Sequence, residues 1–217
     1  MFSFVGDADC RVIGITSAMA HEGKTTTSIN LAYDLIQAGM RVLLIDGDMR
    51  MSHIAKILNI QRVPGLSDLL VGVKDQVCYV QVSAKLGGLQ IIPCGNLPPN
   101  PSELLASKRM GVLLNTLKQK YDYIIIDLPP LTAVSDALIV SKLIDGMVLV
   151  VRQDYADKHL VNDAVRQLQF HEANIIGYVM NCTHNVNKYC GKYGRYGKYS
   201  RYSEYGDDFD ASAEQEE

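Results

Sequence analysis

A short apolar run, Val12-Ile13-Gly14-Ile15-Thr16, leads through Ser17-Ala18-Met19-Ala20-His21-Glu22 into Gly23-Lys24-Thr25-Thr26, and a helical pattern follows at once. Few sequence features constrain a fold as tightly. Glycine, lysine and a hydroxyl residue at a strand-to-helix junction make a phosphate cradle. Backbone N–H groups of the loop and the helix N-terminus point at anionic oxygens, and Gly23 permits close approach. Lys24 is suited to neutralising β- and γ-phosphates, and the Thr25 hydroxyl to ligating Mg²⁺. Glu22 and Thr26 complete the candidate nucleotide-binding set. Ala18 stands where the pattern usually opens with glycine.

Strand and helix signals alternate through the rest of the body. Strands are predicted at 11–16, 41–46, 89–93, 123–127, 147–152 and 175–181. Each reads as a continuous apolar run, which suggests burial on both faces of a parallel sheet. Helices are predicted at 24–37, 52–58, 102–120, 135–143 and 156–171. Before the third, Asn100 is a cap candidate, Pro101 suits the first turn, and Glu103 stands at the capping-box position. The alternation predicts an α/β fold: a doubly wound, mostly parallel sheet.

Composition bounds the remainder. The chain has 217 residues, 47% of them hydrophobic and 21% charged, with a formal net charge of −3. That is globular, without a general basic field for nucleic acid, so no nucleic-acid partner is expected. No apolar run approaches the ~20 residues that span a bilayer, and the start lacks a signal-peptide pattern, so the expected location is the cytoplasm. The 5 cysteines are scattered without a CxxC pair, which favours reduced thiols. Composition shifts near Asn187, dividing the chain into a domain at 1–186 and a tail at 187–217. No large aliphatic residue follows Lys188, so the tail is expected to be flexible. It carries six of the 12 tyrosines: Tyr189, then Tyr193, Tyr196, Tyr199, Tyr202 and Tyr205 at every third position. Gly, Ser, Lys and Arg fill the gaps. Beside a nucleotide site, that spacing reads as a string of phosphate acceptors.

Two carboxylates end predicted strands, and a third follows one of them by two residues. Val42-Leu43-Leu44-Ile45-Asp46 continues into Gly47-Asp48-Met49-Arg50, and Tyr123-Ile124-Ile125-Ile126-Asp127 runs into Leu128-Pro129-Pro130. In a parallel sheet, strand carboxyl ends face the ligand crevice. Asp46 and Asp48 can therefore approach the γ-phosphate and the attacking group, one as general base and the other in the metal shell. Asp127 fits the magnesium-side aspartate of a second nucleotide motif. Asn181, closing the last strand, offers an amide for adenine.

Together these features resemble the bacterial tyrosine kinases (BY-kinases) of capsule and exopolysaccharide synthesis, in their single-chain cytoplasmic form. The resemblance rests on Gly23-Lys24-Thr25, Asp46-x-Asp48-x-Arg50, Asp127-Leu128-Pro129-Pro130, Leu97 to Leu105, Val134-Ser135-Asp136-Ala137, Asp145-Gly146 and the tyrosine cluster. It implies Mg-ATP as cofactor, Lys24, Asp46, Asp48 and Asp127 as catalytic residues, and Thr25, Asp48 and Asp127 around the metal. It further implies autophosphorylation of the tail tyrosines between subunits of a homo-oligomer. Implied partners are a polytopic membrane adaptor, which activates the kinase and holds it at the inner face of the membrane, and a protein-tyrosine phosphatase. The start, Met1-Phe2-Ser3-Phe4, looks like the segment just after the helix with which this family closes its subunit rings. ATPase switches of the MinD/ParA type share the expected fold, but they carry a further lysine where this chain has Met19.

Overall fold

The computed structural model describes residues 10–72, 80–81 and 88–183. Their elements run β1 (Arg11–Ser17), α1 (Lys24–Gln37), β2 (Val42–Asp46), α2 (Ile54–Ile57), α3 (Leu66–Val71), β3 (Val80–Gln81), β4 (Gln90–Ile92), α4 (Pro101–Leu105), α5 (Lys108–Lys118), β5 (Tyr123–Asp127), α6 (Asp136–Ser141), β6 (Gly146–Arg152), α7 (Lys158–Phe170) and β7 (Ile175–Asn181). They form a 7-stranded sheet in the order β3-β4-β2-β5-β1-β6-β7. Only the short β3 edge is antiparallel. This is the doubly wound α/β architecture expected from the alternation.

Successive strand side chains point to opposite faces, and the two resulting layers are distinct. Val42 and Leu44 of β2, with Tyr123 and Ile125 of β5, pack on one face with Ile29 and Ala32 of α1 and Ile54 of α2. Leu43, Ile45, Ile124 and Ile126 face the other way, into a layer built by α3 to α7 through Leu66, Leu105, Leu114, Ala137 and Leu168. Strands 42–46 and 123–127 are buried at every position, which is why their sequences are continuously apolar.

Four departures from expectation follow. The single helix expected at 102–120 is broken: α4 ends at Leu105, and α5 restarts after Ser107, whose extended backbone (φ −69°, ψ 151°) serves as a new N-cap. The expected capping box does not form there, since the Asn100 amide bonds the Glu103 side chain instead of the backbone. Helix α3 lay unpredicted between Gly65 and Gly72; the Asp68 carboxylate accepts the Gly65 N–H at 2.8 Å to start it. A Cβ at Gly65 would lie 2.1 Å from the Gly95 nitrogen, so only glycine lets this start sit against the segment after β4. Finally, β7 is an edge strand whose burial alternates, with Tyr178 and Met180 both 59% exposed, rather than a strand covered on both faces.

Candidate active site

The carboxyl ends of β1, β2, β5, β6 and β7 meet around the loop between β1 and α1. Gly23, at φ +88°, turns the chain into α1, and no side chain caps that helix end. Its first N–H groups are therefore left to face the loop. A Cβ on Gly23 would fall 1.9 Å from the Asn181 amide nitrogen. Asn181 ends β7 and donates from Nδ2 to the Glu22 carbonyl at 3.0 Å. Glu22 is fully buried: one carboxylate oxygen accepts the Met19 N–H at 2.7 Å, and the other lies 3.4 Å from the Arg152 amide nitrogen. Thr132 fixes the front of the loop by donating its hydroxyl to the Ala18 carbonyl at 2.6 Å. The Arg152 guanidinium donates to the His21 carbonyl at 3.2 Å and lies 5.2 Å from the centre of the Tyr155 ring. The loop is braced from the ends of β6 and β7 and from the turn after β5. Thr26 points outward and is exposed.

Parallel pairing aligns Asp46 with Asp127 across β2 and β5. Thr25 and Ser28 stand three residues apart on α1, so they share one helix face. That face meets Asp127: Thr25 donates its hydroxyl to Oδ2 at 2.7 Å, and Ser28 Oγ lies 3.1 Å from Oδ1. Lys24 Nζ lies 3.4 Å from Asp48 Oδ2, an ion pair with little exposure of either side chain. Asp48 Oδ1 accepts the Met51 N–H at 2.9 Å, and Ser52 donates its hydroxyl to Asp46 Oδ2 at 2.6 Å. Asp46 Oδ1 is buried without a hydrogen-bond partner among the described residues.

Burial is the first cause of the unusual acidities here. It pushes the Asp46 carboxyl up to about 7, with the neighbouring Asp127 and Asp48 charges adding to the rise and the Ser52 hydroxyl opposing it. Asp127 rises to about 6 by the same desolvation, opposed by Lys24, Thr25 and Ser28. His53 is pushed down by burial and by the Lys24 charge.

The structure thus brings Glu22, Gly23, Lys24, Thr25, Asp46, Asp48, Asp127 and Asn181 into one cluster. Ser28 and Ser52 join it unforeseen: a serine at i+4 from the lysine and another six residues beyond Asp46 carry no motif of their own. The six tail tyrosines lie outside the described residues. No group of three His, Cys, Asp or Glu side chains forms a ready metal cage among the described residues. A hydroxyl plus one or two carboxylates is the donor set magnesium accepts, because it keeps most of its water and completes its shell with phosphate.

A family model described as an AAA domain matches residues 10–173. The chain is 38% identical over 181 residues to a tyrosine-protein kinase, CpsD, of Streptococcus pneumoniae serotype 4, covering 82% of this chain and 79% of that one. The kinase domain of the Escherichia coli tyrosine kinase ETK superposes with a TM-score of 0.75 at 32% identity, over 85% of this chain and 73% of that chain. The septum site-determining protein MinD of Pyrococcus horikoshii, complexed with Mg-ADP, gives a TM-score of 0.64 at 25% identity, over 79% of this chain and 70% of that chain. The wider nucleotide-binding fold is shared with MinD, but the sequence kinship runs to the kinases: this chain belongs to the bacterial tyrosine-protein kinase family.

Proposed function

We propose that the chain transfers the terminal phosphoryl group of Mg-ATP to the tail tyrosines of a neighbouring copy, Tyr189, Tyr193, Tyr196, Tyr199, Tyr202 and Tyr205. The observation carrying this reading is Asp46: a buried carboxylate, one oxygen held by Ser52 and the other unpartnered, with its acidity moved toward neutrality. A tyrosine hydroxyl ionises near pH 10 and is a poor nucleophile at neutral pH. A base with a pKa near the working pH, one oxygen fixed and the other without a partner, suits removal of that proton.

In this reading the tyrosine oxygen attacks the γ-phosphorus, its proton passes to Asp46 Oδ1, and ADP leaves. Lys24 holds the β- and γ-phosphates, and the N–H groups around Gly23 bind their oxygens. Glu22 and Asn181 keep that loop in shape. Thr25, Asp48 and Asp127 would hold magnesium, which supplies charge neutralisation for the transferring group. Thr26 and Asn181 flank the nucleotide. Phosphoryl transfer depends mainly on positioning and electrostatics, and a pre-braced loop supplies both.

In the cell, we infer, a cycle of tail phosphorylation and removal by a phosphatase regulates capsular or extracellular polysaccharide polymerisation and export. No described helix is long and apolar enough to cross a membrane. Recruitment to the inner face of the membrane then falls to a polytopic adaptor. The test is phosphotyrosine on the chain expressed in a host without other tyrosine kinases, with and without the adaptor's cytoplasmic segment. Tail modification is expected in the wild type and none in Lys24→Met. Bare tyrosines by mass spectrometry with ATP, magnesium and adaptor all present would overturn the reading.

A further inference from the structure

Arg50 lies outside the phosphate loop and touches none of the candidate catalytic carboxylates, yet it is tied into the molecule by two hydrogen bonds whose acceptors are bonded to each other. Its Nε–H donates to Asp136 Oδ2 at 3.2 Å, and its Nη2–H donates to Ser102 Oγ at 3.0 Å. The Ser102 hydroxyl in turn donates to Asp136 Oδ1 at 2.5 Å. Asp136, the first residue of α6, has a side chain with 0% exposure, whereas Arg50 is 38% exposed. The three residues close a triangle joining the segment after β2, the first turn of α4 and the start of α6.

The segment so held is the one that carries the chemistry. It runs from Asp46 to Ser52, and its two ends report on the two carboxylates: the Met51 N–H holds Asp48, and the Ser52 hydroxyl holds Asp46. Met49 is buried, and its carbonyl lies 3.4 Å from Arg62 Nη2. The Met51 side chain, on a residue 66% exposed, gives no anchorage. Arg50 is thus the polar side chain that fixes the stretch between Asp48 and Ser52 to α4 and α6, beside Met49, which is buried in the core cluster that holds Leu105 and Ala137.

We propose that Arg50 is a positioning residue for the phosphoryl transfer argued above, acting through Asp136 and Ser102 to aim Asp48 and the Ser52 hydroxyl. The inference rests on that reading of the site. A planar guanidinium reaches Asp136 and Ser102 at once from two different nitrogens, and a lysine ammonium cannot reproduce that fork. Misplacing a catalytic group by about 1 Å can cost ~100-fold in rate.

The experiment measures kcat for tail phosphorylation, and nucleotide affinity separately, in the full chain with adaptor segment and Mg-ATP. Arg50→Lys, Arg50→Ala and Asp136→Asn are each expected to lower kcat about 10- to 100-fold with nucleotide affinity within about twofold of wild type. The Arg50→Ala/Asp136→Asn double variant is expected to be no slower than the worse single variant, because the two residues act as a unit. Added guanidinium ion is expected to restore part of the rate in Arg50→Ala. If Arg50→Ala fails to fold, judged by thermal melting and nucleotide binding, Arg50→Lys and Ser102→Ala carry the test. Unchanged kcat in those two variants overturns the proposal. So does a nucleotide affinity lost on changing Arg50 but kept on changing Asp136, since that pattern belongs to direct phosphate contact. An inert wild type would instead sink the kinase reading; an active wild type with indifferent variants sinks only the role of Arg50.

Discussion

Asp46 concentrates the electrostatic cost of the site. Its carboxyl is pushed up to about 7 in the folded chain, against an ordinary value of 3.8. Between those pH values an unfolded chain ionises while the folded one keeps its proton, so this residue makes the fold less stable as pH rises through the window. Above about 7 the penalty is constant. Asp46→Asn removes it: the variant is expected to gain on wild type as pH goes from 4 to 8, reaching roughly 1–4 kcal/mol in urea unfolding. Tail phosphorylation should fall by about 100-fold or more, the usual scale for losing a general base. Equal stability at pH 4 and pH 8 relative to wild type would refute the first statement, and retained phosphorylation the second. At this scale the sequence was informative where residue type alone dictates chemistry: Gly23, Lys24 and the strand-end aspartates announce themselves by spacing. Ser28 and Ser52 were not legible, and Arg50, Ser102 and Asp136 stood in motifs of the resemblance without any sign that they bond to one another, because the meaning of hydroxyls and arginines lies in what the fold sets beside them.

Among the elements, legibility followed burial. β2 and β5 are covered on both faces, so their apolar runs had only one interpretation. β7 has equally apolar residues but an open face, and its sequence did not show the difference. The break between α4 and α5 was hidden for another reason: no Pro or Gly interrupts Leu105-Ala106-Ser107-Lys108, and serine serves a helix interior or a cap according to its surroundings. A short helix after Pro64-Gly65 could have been found, since Asp68 stands at the position that bonds back to the helix start. The same contrast in burial predicts energetics. Leu168 of α7 is buried completely, so Leu168→Ala is expected to cost about 2–5 kcal/mol in denaturant unfolding. Met180→Ala, on the open face of β7, should stay within about 0.5 kcal/mol. A large loss at Met180 would mean that this face is covered in solution.

For the molecule as a whole, charge is the quantity that phosphorylation changes most. Five cations, Lys188, Lys192, Arg195, Lys198 and Arg201, are interleaved with the tail tyrosines. Six phosphates would add about −9 to −12 at neutral pH, reversing the sign of that stretch. On the proposed function, an unmodified tail would suit a neighbour's site lined by Asp46, Asp48 and Asp127, and a fully modified one would be repelled by it. Assemblies formed with adaptor and nucleotide are therefore expected to sediment faster when dephosphorylated. Identical sedimentation of the two forms would rule the switch out. The bond from Asn181 to the Glu22 carbonyl bears on the same end of the chain. The polypeptide departs from the sheet at the residue that also steadies the nucleotide's seat. On the proposed function, a partner that took hold of the chain just beyond Asn181 would thereby have a hand on how firmly that seat is held.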